Sequence, residues 1–519
     1  MSRILVAEPL APEGISILRS AHDVDVKTGL PREELLRILP EYDALLVRSQ
    51  VQVDAQAIAA GTRLQVIGRA GVGVDNIELD AATAAGIVVV NAPTGNTVAA
   101  AEHTLALLFA LARRIPAADA SVRRGEWKRA QFTGRELRGK TLGVIGLGKI
   151  GMTVAEAARG FEMDLIGHDP FVTEEAASRH GIRLMSVADI LKTADAITVH
   201  VPLTAKTRGM IGAAELRTMK KEAFLINVAR GGVIDEAALA EALAAGTIAG
   251  AAVDVYSEEP LPADNPLRGA PNTILTPHLG ASTEEAQTRV AVETAEQVLD
   301  VLAGRSARYA VNAPLLTPET AQALAPYLPL ARMLGRLYAQ FASDLSGMTL
   351  EVAGELASHD TSALVAATLG GLLADTEERV NVINAPALAK ARGISLVERR
   401  VPDAGRHASL LTLSGSAVVG GTVANGEPRL VRLQEHWLDM APSAHMLVTH
   451  HQDKPGTVGK VGVLLGESDV NISAMYLART DPRADAYMIL ALDDSPDGPV
   501  ADRIRAMDAV LDLWLIRLD

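Results

Sequence analysis

The sequence predicts an α/β protein: two doubly wound parallel-sheet units, then an α+β unit, then a small strand–helix–strand–strand–helix–strand unit. Three observations carry this. Short apolar runs alternate with helix-like stretches from the first residues onward, the pattern of a parallel sheet with helices on its faces. The alternation restarts abruptly at residue 141, after a long helix. Beyond residue 313 the style changes to longer, alternating strands. A chain of 519 residues has room for three or four such units.

Residues 4–7, 44–47, 64–67 and 88–90 read as the buried strands of the first unit. Helices over 12–20 and 31–39 lie between them, and a longer helix over 96–114 carries Ala and Leu on its buried face. The second series has strands over 141–145, 164–168, 196–199, 223–227, 250–253 and 273–275. A helix over 283–304 follows and returns the chain to the first unit, because two α/β units joined by two long helices make a hinged pair with a cleft. The expected bounds are 1–97 with 285–306 for the first unit and 98–284 for the second. A linker rich in Ala, Pro and polar residues spans 305–318. The third unit, 313–440, opens with a long interrupted helix over 317–346 and alternates over 408–438, where Asn425-Gly426 between Val-rich flanks signals a hairpin. The last unit, 446–519, has the ferredoxin-like βαββαβ order.

Composition narrows the function. Hydrophobic residues make up 48% and charged residues 22%, as in ordinary globular proteins, while aromatics are only 3%, so the cores rest on Ala, Val, Leu and Ile. A net charge of -14 gives no general reason to bind nucleic acid or an anionic membrane. An anionic ligand would therefore need local Arg residues. The absence of Cys excludes disulfides, thiolate nucleophiles and Cys-ligated metals, and it fits a reducing cytoplasm. No metal site is expected. The first residues lack the basic and long apolar regions of a signal peptide, and the longest apolar helix candidate, 104–112, is too short to span a bilayer.

Gly146-Leu147-Gly148-Lys149-Ile150-Gly151 follows directly on a strand and opens a helix. The first Gly permits the tight turn, the second lets backbone approach a pyrophosphate, and the third lets helix and strand pack closely; the helix N-terminus then offers free N–H groups. Asp169 ends the next strand, where a carboxylate can accept hydrogen bonds from ribose hydroxyls and repel a 2′-phosphate, which favours NAD over NADP. Taken alone, Asp169 before Pro170 is also a plausible turn residue.

Arg230, Glu259 and His278 stand near the ends of predicted strands in otherwise apolar surroundings. Ligands of doubly wound sheets bind beyond the carboxyl ends of the strands, so all three would face the cleft. His278 can exchange a proton with a carbonyl or hydroxyl oxygen, Glu259 can fix its ring and favour the imidazolium, and Arg230 can grip a carboxylate. Singly, each has a plain structural alternative: a turn residue, a surface acid and a loop histidine.

Together these motifs resemble the D-isomer-specific 2-hydroxyacid dehydrogenases, over about 300 residues from the N-terminus. The resemblance rests on residues 146–151, on Asn227-Val228-Ala229-Arg230-Gly231-Gly232, on residues 254–260 and on Pro277-His278-Leu279-Gly280. It implies Rossmann-like domains, the same roles for Arg230, Glu259 and His278, and a nicotinamide end held by Asp254 and residues 278–281, including Gly280 and Ala281. Val72, Val201, Val228 and Ala229 join the implied NAD set. Val72 stands where members acting in serine synthesis often have Thr, so a hydroxyl contact is absent and a backbone contact is expected to remain.

Within the family the chain is most similar to members acting on D-3-phosphoglycerate, through residues 46–49, 68–77 and 91–96. That implies oxidation to 3-phosphohydroxypyruvate, the first step of L-serine biosynthesis, with 2-oxoglutarate reduction as a side activity. Arg48 and Arg69, at strand ends, suit a phosphate ester, with Gly71 beside them; Asn96 either adds a hydrogen bond or serves as a helix N-cap. Arg129 resembles a position that reaches a neighbouring subunit's site, beside Trp127 as a dimer anchor, and is otherwise a surface loop residue. The last unit resembles an ACT domain, which implies L-serine as effector at His451, Asp453 and Asn471, and a homo-oligomer, dimer or tetramer. The third unit resembles the domain that intervenes in the longer members. Rival readings are hydroxypyruvate, glyoxylate or D-lactate as substrate, an NAD-sensing corepressor, and an amino-acid sensor with a dead catalytic half. Arg48 and Arg69 oppose the first, the acidic charge the second, and the intact Arg230, Glu259 and His278 the third.

Overall fold

The computed structural model describes residues 1–305, 307–313, 316–376, 380–479 and 481–518. The expected unit ends at Ser306 and Asp519, and Pro314 and Leu315 of the linker, lie outside the described residues.

The first sheet is parallel throughout, in the order Asp23–Val26, Arg3–Val6, Ala44–Val47, Val66–Arg69, Val88–Asn91. The strand order reverses between Arg3–Val6 and Ala44–Val47, which opens a crevice where Glu8 and Arg48 leave the sheet. The second sheet is also parallel, in the order Thr273–Leu275, Gly250–Val253, Phe224–Asn227, Ala196–Val199, Thr141–Ile145, Asp164–His168, Ile182–Leu184. Its reversal lies between Thr141–Ile145 and Ala196–Val199, beside the glycine-rich turn. Each sheet has a separate apolar core on either face, so their strands are continuous Val, Ile, Leu and Ala runs.

Two helices cross between the sheets. Thr97–Arg113 leaves the first and packs on the second, ending where Arg114 adopts a left-handed φ of 55°. Glu284–Leu302 returns and lies close on the first unit: a Cβ added to Gly14 would sit 2.8 Å from the Ala291 carbonyl oxygen, and one on Gly68 2.8 Å from Thr294 Cγ2. The cleft between the sheets faces the carboxyl ends of both sets of strands.

The structure departs from the sequence expectation in four places. Asp23–Val26 and Ile182–Leu184 are short edge strands that it omitted. The third expected strand, 64–67, is shifted to Val66–Arg69, with Leu64 buried before it. The expected helix over 317–346 is two, Pro318–Leu324 and Tyr327–Phe341, parted at Pro326, whose missing N–H interrupts the hydrogen-bond ladder.

In the third unit a six-stranded mixed sheet runs from Ser395–Val401 to His436–Met440. Asn425-Gly426 joins Val418–Ala424 to Glu427–Leu433 with both φ positive, 53° and 81°, as a two-residue hairpin turn requires. The last unit is a four-stranded antiparallel sheet whose strand order places the first and third chain strands centrally, with Thr457–Gly466 and Gly498–Arg505 on one face. Its other face packs on the third unit, where Phe341 and Trp514 rings lie 4.4 Å apart.

Helices Tyr327–Phe341 and Ser362–Leu372 approach backbone to backbone: a Cβ on Gly335 would lie 2.0 Å from the Thr368 carbonyl oxygen, and one on Gly371 1.9 Å from that of Arg332. Gly371→Val should therefore destabilise this unit by at least about 1–3 kcal/mol through overpacking. Calorimetry checks it; an unchanged melting profile would mean the helices do not meet so closely.

Candidate active site

The glycine-rich turn is built as its spacing demands. Gly146 has φ 97°, and a Cβ there would lie 2.4 Å from the His200 carbonyl oxygen. A Cβ on Gly151 would lie 2.0 Å from the Gly146 carbonyl oxygen, so only glycine lets helix Lys149–Gly160 start so close to its strand. Above Gly148 there is open space, with nothing within 4 Å of an added Cβ, which leaves room for a pyrophosphate at the helix N-terminus. Asp169 accepts from the Leu147 N–H at 2.9 Å and from the Phe171 N–H at 2.9 Å. It is thus both a turn residue and the clamp of the loop, with lone pairs left for a ribose. Lys149 lies over the Tyr309 ring at 5.7 Å, while Ile150 packs on the core and Val201 lines the turn near Gly146.

Asp254 is fully buried and gathers the loop that carries His278. Its carboxylate accepts from the Leu279 N–H (2.8 Å), the Gly280 N–H (2.9 Å), the Thr276 hydroxyl (2.5 Å) and His103 Nε2 (3.2 Å). Burial pushes this carboxyl up, but those hydrogen bonds outweigh it and hold it below the usual carboxylate value. Its backbone oxygen accepts from the His278 N–H at 2.9 Å, which fixes His278 at a φ of 54°, a region few non-glycine residues occupy. Gly280 packs against Val228, with Ala281 following and Ala229 held by Asn227 Oδ1 at 3.1 Å.

His278 Nδ1 and Glu259 Oε2 are 2.7 Å apart, which leaves Nε2 free of that bond. The other oxygen of Glu259 accepts from the Tyr256 N–H at 3.0 Å. Burial raises the Glu259 carboxyl; the bonds from His278 and Tyr256 bring it below its ordinary value. Arg230 donates from Nε to Asp75 of the first unit at 3.0 Å and from Nη1 to the Ala229 carbonyl at 2.6 Å.

Arg48 and Arg69 face the same region. Arg69 is pushed down to about 10 by burial and then by the nearby Arg230, with Arg48 adding and Asp75 and Glu8 opposing. Two glycines make room: a Cβ on Gly71 would lie 1.7 Å from Arg69 Nη1, and one on Gly73 1.9 Å from Arg230 Nη2. Arg69 Nε and Asn96 Oδ1 are buried without a hydrogen-bond partner, so both remain to be completed. Asn96 stands at the N-cap of helix Thr97–Arg113, but its side chain makes no capping bond. The Val72 carbonyl is taken by Asn91 Nδ2.

Arg129 and the three effector residues lie outside this cleft. Arg129 is exposed and does not approach its own chain's cleft: Gln131 and Gly134 beside it lie against Arg114 and Ala112, at the amino ends of the second sheet's strands. A cavity of about 470 Å³ also lies at that end, lined by Leu111, Arg135 and Phe224, and none of the expected site residues borders it. The three effector residues do not meet within one chain. His451 is 1% exposed, bonded to Thr449 at 3.1 Å and lowered in pKa by burial. Asp453 is ion-paired with Arg479 at one end of the sheet, while Asn471 bonds Asp493 at the other.

Glu8, Asn76, Asn91, His103 and Asn227 were missed. Glu8 follows strand Arg3–Val6 as Arg48 follows its own strand, and that parallel was a readable signal; its carboxylate accepts from the Arg48, Gln50 and Val51 N–H groups. Asn76 Nδ2 donates to the Arg48 and Val51 carbonyls at 3.0 and 2.7 Å. His103 gave no local signal, since its partner is 151 residues away.

Residues 105–280 match the family model of the D-isomer specific 2-hydroxyacid dehydrogenase NAD binding domain, and 323–434 that of the D-3-phosphoglycerate dehydrogenase intervening domain. The chain is 46% identical to the D-3-phosphoglycerate dehydrogenase of Synechocystis sp., covering 100% of this chain and 95% of that one. It is 41% identical to that of Archaeoglobus fulgidus over 99% and 100% of the two. Among solved structures, the glyoxylate reductase of Paecilomyes thermophila (TM-score 0.55, 29% identity) covers 60% of this chain and 98% of its own. A formate dehydrogenase of Staphylococcus aureus in complex with NAD (TM-score 0.52, 29% identity) covers 58% and 96%.

The class is thereby defined: an NAD-dependent oxidoreductase of the D-isomer-specific 2-hydroxyacid type. Within that class the chain belongs to the D-3-phosphoglycerate dehydrogenase family. Among the described residues, no helix is long and apolar enough to cross a membrane.

Gly151→Val should weaken NAD binding at least tenfold, about 1.4 kcal/mol, because the Gly146 carbonyl cannot yield to a Cβ 2.0 Å away. NADH fluorescence titration measures this; wild-type affinity in a folded variant would refute the account of the turn.

Proposed function

We propose that the enzyme oxidises D-3-phosphoglycerate to 3-phosphohydroxypyruvate with NAD, feeding L-serine synthesis. The single observation that carries the substrate is the gathering of Arg48, Arg69 and Arg230 in one cleft, more cation than a simple hydroxy acid needs. Arg230 takes the substrate carboxylate and orients C2; Arg48 and Arg69 take the phosphate, and the free acceptor of Asn96 takes a hydroxyl. His278 Nε2 removes the C2 hydroxyl proton, while Glu259 at Nδ1 steadies the imidazolium that forms. Asp254, Gly280 and Ala281 would border the nicotinamide of NAD, which when bound would supply the hydride acceptor for C2. Val72, Gly146, Gly148, Lys149, Ile150, Gly151, Asp169, Val201, Val228 and Ala229 hold the rest of the cofactor.

The assembly belongs to the same reading. Trp127 (80% exposed), Ile115 and Val122 form an apolar face suited to a second copy, which would bring Arg129 to the neighbour's site. L-serine binds between ACT-like units of two copies, so that Asp453 of one and Asn471 of the other can share it. A chain without Cys suits the cytoplasm.

NADH formation from D-3-phosphoglycerate should fall by about 10²–10⁴-fold in His278→Ala, the usual weight of a general acid/base, with NAD affinity retained. Turnover of D-lactate in preference to the phosphate ester would overturn the assignment.

A further inference from the structure

The couple His278–Glu259 depends on a four-residue turn, Tyr256 to Glu259, that has little to hold it from within. Its one internal tie is the Tyr256 N–H to Glu259 Oε1 bond. The turn is gripped from outside by Glu236, at the first turn of helix Glu236–Ala244. Glu236 Oε1 accepts from the Ser257 N–H at 2.6 Å, and its Oε2 accepts from Asn265 Nδ2 at 2.7 Å. Asn265 in turn caps the short helical turn Pro266–Gly269 through the Leu267 N–H. One carboxylate thus ties together three segments: the helix that follows Arg230-Gly231-Gly232, the turn that carries Glu259, and the loop at 262–269.

The arrangement also couples Arg230 to Glu259. A Cβ on Gly231 would lie 1.8 Å from the Tyr256 carbonyl oxygen, so the backbones of the Arg230 turn and the Glu259 turn are in direct contact. Tyr256, 7% exposed, anchors the other side: its hydroxyl donates toward the Val253 and Thr276 carbonyls, both at 3.0 Å, at the ends of the strands that lead to Glu259 and His278. The Glu259 turn is therefore fixed at Tyr256 by the sheet and at Ser257 by Glu236.

We propose that Glu236 is a positioning residue for the reaction, holding Glu259 at hydrogen-bond distance from His278; this rests on the reading of those two as the acid/base pair. Glu236 touches neither substrate nor cofactor. Without it the Ser257 N–H loses its acceptor, the turn relaxes, and Glu259 no longer steadies the imidazolium. Two effects follow together. Proton transfer slows and its pH dependence changes, because the carboxylate that steadies the charged imidazole is no longer fixed beside it.

The test is the pH dependence of kcat for full-length Glu236→Ala, Glu236→Gln and Asn265→Ala, with His278→Ala as control. Glu236→Ala should lower kcat roughly tenfold, part of the usual general acid/base contribution, with the KM for NAD nearly unchanged. The acid limb of its kcat profile should shift. Glu236→Gln, which keeps an oxygen for the Ser257 N–H, should recover most of both. Asn265→Ala removes only the second bond and should shift the limb in the same direction by less; it carries the test if Glu236→Ala fails to fold. A fall in kcat with the acid limb unmoved in every folded variant would overturn the proposal, as would unchanged kinetics. Wild-type turnover in His278→Ala would instead overturn the underlying acid/base reading.

Discussion

Three guanidinium groups converge in one cleft, and the rest of the site is arranged to hold them there against their mutual repulsion. Arg69 shows the strain of this most directly: burial and Arg230 together push it down to about 10, yet it stays charged at neutral pH. Asp75 and Glu8 offset part of the charge. Arg230 leans on Asp75 across the cleft, and that contact is made by Nε, leaving Nη2 over Gly73. A dianionic ester with a carboxylate is the natural complement to such a cleft, in a chain that is otherwise acidic.

Holding the cations requires interior anchors that carry no chemistry. Glu8 and Asn76 fix the loop after Arg48 from opposite sides, one accepting its N–H groups and the other donating to its carbonyls. Asn91 pins the loop after Arg69 through the Val72 carbonyl, and Asn227 closes the Arg230 turn by bonding its carbonyl oxygen at 3.0 Å. At the other end of the cleft, buried Asp254 does the same for His278, joining a strand end, the His278 loop and the crossing helix through His103. The reacting groups are exposed enough to meet ligands because their supports are not.

Much of this was legible in the sequence because it is local. The glycine-rich turn, the strands and Arg230, Glu259 and His278 are signalled by neighbours along the chain. Long-range supports were not: Glu8 acts on residues 40 and more away, and His103 on Asp254 across 151 positions. Edge strands such as Asp23–Val26 escaped because their half-exposed pattern carries little apolar signal. Pro326 divides a helix that periodicity alone joins. His451 illustrates the opposite failure: a polar residue in a recognisable motif was read as a ligand contact, whereas strand register buries it.

On this reading the cationic cluster, not the hydride-transfer machinery, selects the substrate. The most direct test is the ratio of kcat/KM for D-3-phosphoglycerate over D-glycerate in the wild type and in Arg69→Met. A charged hydrogen bond of about 1.5–3 kcal/mol should be lost only for the phosphorylated substrate, so the ratio should fall by roughly ten- to a hundredfold while D-glycerate turnover is little changed. Equal losses for both substrates would contradict the account.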